Sequence, residues 1–218
     1  MTENDQTHSA QPSREPSIAL LWILVGVMIV IEIAASLGDA GVGPVSRNTL
    51  MYYGAFWITL LDGMSGLFRG QQWTMFLSHA FLHGGAAHVA MNTVVLLSVG
   101  KLVATICGQF RALILFALTA IAGGIGFWLL APVELVPMVG ASGAVFGFLG
   151  AWKRWEFNAL RATGQSVRGV GLFVLGMIVL NIALAFALQG GLAWQAHLGG
   201  GVAGWLIAPY LARRPGRA

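Results

Sequence analysis

Charge is the scarcest commodity in this sequence. Of 218 residues, 9% are Asp, Glu, Lys or Arg, against roughly a quarter in an ordinary soluble domain. Seven of these 20 charges lie in residues 1–15 and 213–218, so the 197 residues between them carry 13. That is too few to clothe a water-soluble surface. A soluble enzyme and a disordered chain are excluded. So is a nucleic-acid partner, despite the net charge of +4. Cysteine is nearly absent as well: Cys107 stands alone, which excludes a disulfide scaffold. What is abundant is apolar, with 57% hydrophobic residues and 30 glycines. An integral membrane protein remains, with helices that approach closely or break locally.

A membrane helix needs about 20 apolar residues, because the hydrocarbon core is about 30 Å thick and each residue rises about 1.5 Å. Residues 17–37, 86–106, 112–131, 169–188 and 192–211 meet that requirement. Their apolar residues do not alternate with polar ones as outer-membrane strands would, so the class is all-α. Two apolar segments are shorter. Residues 49–61 (TLMYYGAFWITLL) suit a helix lying in the membrane interface, and their Trp and Tyr suit it too. Residues 140–152 end at Lys153 and Arg154. They fit a half-helix that begins inside the protein, provided neighbours satisfy its first backbone groups.

Six helices result, and positive charge sets their direction. One side receives Arg14, Lys101, Arg111, Lys153, Arg154, Arg161, Arg168, Arg213, Arg214 and Arg217. The other receives Arg47 and Arg69. Both termini are therefore expected in the cytoplasm. Residues 1–16 read as a polar tail rather than a signal peptide, and 17–37 as a retained anchor. Residues 17–211 read as the membrane domain, and 212–218 as a basic tail.

Polar residues inside the membrane are costly, and each is a functional candidate. Glu32 sits near the outer end of the first span, where reaching the interface or hydrogen bonding to a neighbour would account for it. The run SHAFLHGGAAHVAMN carries His79, His83, His88 and Asn92. His79 and His83 are four apart, as are His88 and Asn92, so each pair shares a face wherever its segment is helical. Metal ligation finds little support, because thiolates are absent and carboxylates scarce. No cofactor is expected.

Ser142 lies between Ala141 and Gly143 at the start of the short segment, about 16 Å of helix from Lys153. Counted in the same way, His197 lies about 24 Å from Arg213, while His88 and Asn92 lie about 20 and 14 Å from Lys101. Four polar residues from three segments thus fall in one layer. Gly143 and Gly147 form a small-xxx-small pair, and Gly200 and Gly204 form another just after His197. Packing those faces would bring His197 to Ser142. A histidine in hydrogen-bond reach can take the serine proton during attack and later protonate a leaving amine. Glu134, Asp39 and Asp62 fall in external loops, so a Ser–His dyad fits better than a triad. His88, Asn92 and the Ser142 N–H are candidate donors to an oxyanion.

These motifs, in this order, resemble the rhomboid family of intramembrane serine proteases. HAFLHGGAAHVAMN resembles its histidine-rich second helix, GASGAVFG its nucleophile motif, and AHLGGGVAG its catalytic-histidine helix. The resemblance covers roughly residues 51–211. It implies a six-transmembrane-helix bundle with a short central fourth helix and an interfacial first loop. It implies Ser142 as nucleophile, His197 as general base, and His88 and Asn92 as oxyanion-hole residues. It implies too that Gly140 gives space at the bend before Ser142, and that His83 organises the first loop and its water. Residues 189–195 match the loop that caps the site. The substrates implied are transmembrane segments of other proteins, cut in or near the bilayer and entering near the second and fifth helices. Lipid is the other expected partner, and a bacterial inner membrane suits the six-helix form. Two departures stand out. Trp73 is followed by Thr74 where the family often has Arg, and Phe146 stands where Tyr is frequent. Phe146 can still stack on His197.

Two other readings remain. A non-catalytic relative would bind transmembrane clients without cutting them, but its usual sign is loss of the serine or the histidine, and both are here. A haem- or metal-binding protein would use His83, His88 or His197, and leaves the glycine-flanked serine unexplained.

Overall fold

The computed structural model describes residues 17–132, 136–189 and 191–212. Arg14, Glu134, Arg213, Arg214, Arg217, the tail 1–16, residues 213–218 of the other tail and part of the 189–195 loop lie outside the described residues. Among those described, the chain forms eight α-helices and no strand. The helices are α1 (Ala19–Asp39), α2 (Arg47–Gly54), α3 (Gln71–Ser78), α4 (Ala86–Cys107), α5 (Gln109–Leu130), α6 (Ser142–Ala162), α7 (Arg168–Ala187) and α8 (Trp194–Leu211). Four of them, α1, α4, α5 and α7, are long and apolar enough to cross a membrane. The chain is an integral membrane protein. Large apolar side chains such as Trp22, Val94, Leu129 and Phe186 are exposed on their outer faces, as expected where the surrounding solvent is lipid.

The central packing unit is the trio α5, α6 and α8, each packed directly on the other two. The contact of α6 with α8 is backbone on backbone. A Cβ on Gly200 would overlap the Gly143 carbonyl, and one on Gly204 would overlap the Gly147 carbonyl. On its other side Gly147 accommodates the fully buried Thr119 of α5, whose hydroxyl donates to Leu115 O at 2.6 Å. Leu21, Leu96, Leu115 and Phe148 fill the space among α1, α4, α5 and α6.

Two segments depart from their sequence reading. Residues 49–61 do not form one interfacial helix. The helix stops at Gly54, and Ala55–Trp57 turn extended. Phe56 then exchanges backbone hydrogen bonds with Met138, at 2.9 and 3.0 Å. The Phe56 ring is fully buried, edge-on to Phe76, His79 and Phe127. Burial of that aromatic therefore overrides local helix continuation. The second departure is α6, which does not end at Lys153 but runs to Ala162. Lys153 stays in the helix because its charge is answered locally. Its Nζ lies 2.6 Å from Glu156 and above the Trp152 and Phe173 rings, at 3.8 and 4.4 Å from their centroids.

α7 is the exception to tight packing. Of its residues, Val170 alone is buried, and a Cβ on Gly171 or Gly176 would meet nothing within 4 Å. This contrast is testable. Gly204→Leu should destabilise the detergent-solubilised protein by about 3 kcal/mol, the upper end of overpacking costs. Gly176→Leu should leave the unfolding midpoint unchanged. Equal midpoints for the two variants would contradict the packing described.

Candidate active site

The first helix of the site begins at Ser142, and two contacts fix the chain that leads into it. The Phe56–Met138 bridge holds the approach, and the Gly140 N–H donates to His79 O at 2.9 Å. Gly140 has φ +122°, a conformation that side chains with a Cβ rarely adopt. A Cβ there would also lie 2.8 Å from His88 Nε2. Glycine is thus required twice, for backbone shape and for space. The bend delivers Ser142 half-buried at the helix start.

The close α6–α8 contact sets His197 opposite. His197 is 5% exposed, and its Nε2 lies 2.8 Å from Ser142 Oγ. Phe146, one turn beyond the serine, stacks on the imidazole with ring centroids 4.3 Å apart and planes 3° from parallel. Behind the ring, Nδ1 lies 2.6 Å from Asn181 Oδ1 on α7. The sequence reading passes over Asn181. It was open to detection as the one polar side chain in the apolar run GMIVLNIALAFA, since intramembrane polar residues are functional candidates.

His88 and Asn92 face the same bend. Both ring and amide approach Gly140, and Asn92 Nδ2 donates to His88 O at 3.1 Å, leaving one amide hydrogen free for another acceptor. The Gly84 N–H donates to His88 Nδ1 at 3.3 Å. In a neutral imidazole the other nitrogen then carries the proton, so His88 presents an Nε2–H donor toward Gly140.

His79 and His83 do not share a helical face. His79 lies in a 3₁₀ turn (His79–Phe81), with its ring 3.3 Å from Ala120 O, and His83 follows in the loop before α4. His83 is buried beside the His88 ring, and neither of its nitrogens has a partner among the described residues. Buried polar groups of this kind are commonly met by water. Nowhere among the described residues do three His, Cys, Asp or Glu converge as a metal cage.

The loop carrying His83 is tied to α1 by a charge cluster. Arg47 makes a two-pronged contact with Glu32, both bonds at 2.8 Å, and donates to His83 O at 2.7 Å. A further bond at 3.1 Å reaches Asp39. The hydrogen bonding to the Glu32 carboxylate is the main reason that the Arg47 guanidinium binds its proton more tightly than usual. Glu32 is 5% exposed and Arg47 18%. Removing one partner of such a buried pair leaves the other uncompensated. Arg47→Met should therefore lower stability by about 3 kcal/mol, and adding Glu32→Gln should recover part of the loss. An Arg47→Met midpoint equal to that of the wild type would show the clamp to be inert.

The geometry is that of a hydrogen-bonded serine and histidine sunk in a helical membrane protein, with donors gathered at the bend before the serine. Comparison with known proteins gives this class a name. A family profile for the Rhomboid domain matches residues 69–214, and the chain belongs to the rhomboid family. It is 32% identical over 169 residues to the rhomboid protease GluP of Bacillus subtilis, covering 78% of this chain and 31% of that protein. It is 33% identical over 147 residues to RHOMBOID-like protein 4 of Arabidopsis thaliana, covering 67% and 36% of the two chains. A third relative, the putative rhomboid protease YdcA of Bacillus subtilis, is 27% identical over 143 residues, covering 66% and 69%. The chain thus spans only about a third of the length of the first two.

Proposed function

We propose that the protein is an intramembrane serine endopeptidase that cleaves transmembrane segments of other membrane proteins. The observation that carries this reading is the 2.8 Å contact between Oγ of the half-buried Ser142 and Nε2 of the buried His197. Serine is a weak nucleophile at neutral pH and needs such a base. As Oγ attacks the scissile carbonyl carbon, its proton passes to His197 Nε2. The carbonyl electrons move to oxygen, which accepts from His88 Nε2–H, the free Asn92 amide hydrogen and the Ser142 N–H. Collapse breaks the C–N bond, and His197 returns the proton to the departing amine. Water, giving its proton to His197, then attacks the acyl carbon; the C–Oγ bond breaks, and His197 returns the proton to Ser142 Oγ as the acid product leaves. Because the site is sunk among apolar helices, that water must be held by polar groups, a role that suits the unpartnered His83 ring.

In this reading α6 and α8 join α1, α4, α5 and α7 as membrane helices, giving six, with α2 and α3 in the external interface. Residues 17–211 form the membrane domain, flanked by the tails 1–16 and 212–218. The excess of Lys and Arg on one side puts both termini in the cytoplasm, and a bacterial inner membrane is the setting. Lipid surrounds the bundle, and substrate enters beside α7, the least buried of the four long apolar helices. Phe146 stacks on the base in place of the family's frequent Tyr, and Thr74 leaves the first loop without an arginine there.

The test is cleavage of a transmembrane reporter by protein reconstituted in bilayers. Ser142→Ala and His197→Ala should each reduce turnover to background while the variants insert and unfold like the wild type. Gly140→Ala should lose at least about 10-fold, because strain and the His88 clash displace the oxyanion donors. Full turnover by either dyad variant would refute the proposal. Binding of the reporter without cleavage by the wild type would favour a non-catalytic client-binding role.

A further inference from the structure

We propose that Asn181 is the positioning residue of this site: it sets the tautomer and the rotation of His197 so that Nε2 faces Ser142 ready to accept a proton. The inference rests on the protease reading above.

The argument begins with the asparagine amide. Its Nδ2 donates to Met177 O at 2.9 Å, one turn back on α7. Reversing the amide would set two oxygens against each other there. Oδ1 therefore faces His197, at 2.6 Å from Nδ1. An amide oxygen can only accept, so Nδ1 carries the ring proton. In the neutral ring Nε2 then holds the lone pair, and Nε2 is the nitrogen 2.8 Å from Ser142 Oγ. The hydrogen bonds consequently run one way, from Ser142 to His197, from His197 to Asn181, and from Asn181 to the Met177 carbonyl. Without an acceptor at Nδ1 the ring can also carry its proton on Nε2, and that form cannot take the serine proton.

A second constraint shows what Asn181 adds. Phe146 stacks parallel to the imidazole and so defines its plane. Stacking still permits a 180° flip about Cβ–Cγ, which would exchange Nδ1 with Cδ2 and Nε2 with Cε1, and the Asn181 bond removes that freedom. During attack the Ser142 proton moves to Nε2, and the O–H electron pair becomes the nucleophile. Nδ1 keeps its proton, and Asn181, being neutral, gains and loses none. Its oxygen stabilises the imidazolium as a dipole.

A simpler role is an anchor. α7 buries only Val170, and an asparagine in an apolar helix needs some partner. The test must therefore read orientation and not only stability. The full-length protein in bilayers is assayed against a transmembrane reporter across pH as wild type, Asn181→Leu and Asn181→Asp. Asn181→Leu should lower kcat by at least about 10-fold, within the roughly 10²–10⁴ that a general base contributes, with KM changed less than about twofold. Asn181→Asp restores an acceptor and should recover most of kcat. Its added negative charge favours imidazolium, so the rising limb of the pH profile should move to higher pH. His88 is the titratable neighbour that acts on His197, and it is unchanged in both variants. Wild-type kcat in Asn181→Leu, or an Asn181→Asp profile that superimposes on the wild type, would overturn the proposal. If Asn181→Leu fails to insert, the Asn181→Asp profile decides by the same criterion. Nitrogen-15 spectra of histidine-labelled protein read the tautomer without turnover. The wild type should show the Nδ1–H form of His197 and Asn181→Leu a mixture, whereas a wild-type Nε2–H form would overturn the assignment. An inactive wild type with the Nδ1–H form would instead count against the protease reading and leave the Asn181 contact standing.

Discussion

Everything at the centre of this molecule depends on two helices touching backbone to backbone. α6 and α8 meet where Gly143 faces Gly200 and Gly147 faces Gly204, with no room for a Cβ on either Gly200 or Gly204. In a lipid environment there is no hydrophobic driving force between helices, so small residues and close van der Waals contact must hold them together. The same approach brings His197 within 2.8 Å of Ser142. A larger residue at the glycine positions would push the helices apart, and a shift of about 1 Å is enough to spoil catalytic alignment. Fold and site thus share one constraint.

Around that contact, rigidity is unevenly distributed. The serine side is held from several directions. Phe56 pairs with Met138, His79 O receives the Gly140 N–H, and Arg47 ties Glu32 on α1 to the carbonyl of His83. The opposite wall is α7, which buries one residue and reaches the site through Asn181. If the site admits a transmembrane segment from the bilayer, as proposed, it benefits from such a division. The proposed donors and nucleophile sit on fixed elements, and the exposed wall is the long apolar helix with fewest buried residues. Placing the acceptor for His197 on that wall links the orientation of the proposed base to the position of α7.

Much of this was legible in the sequence because the membrane limits what a chain can do. Apolar length alone locates α1, α4, α5 and α7 to within a few residues, since few alternatives satisfy backbone groups in lipid. Ser142, His197, His88 and Asn92 stand out because polar residues are costly there. What stayed hidden depends on pairing across the fold. Nothing local announces that Phe56 will leave helix to pair with Met138, or that Arg47 will find Glu32 across a loop. Lys153 reads as the cytoplasmic boundary of a short membrane segment because charge usually marks the interface, and the helix itself continues through it to Ala162, with Glu156 and two aromatic rings answering the charge. Asn181 was visible as an isolated polar residue in α7. Its partner was not, because sequence spacing does not say which face of α7 meets α8.

The central claim is that His197 activates Ser142 for attack. Its most direct measurement needs no substrate: the intact mass of the bilayer-reconstituted protein after exposure to a serine-reactive fluorophosphonate. One adduct should form, mapping to Ser142, and it should be absent from both Ser142→Ala and His197→Ala. Labelling of His197→Ala at the wild-type rate, or an adduct that persists in Ser142→Ala, would contradict it.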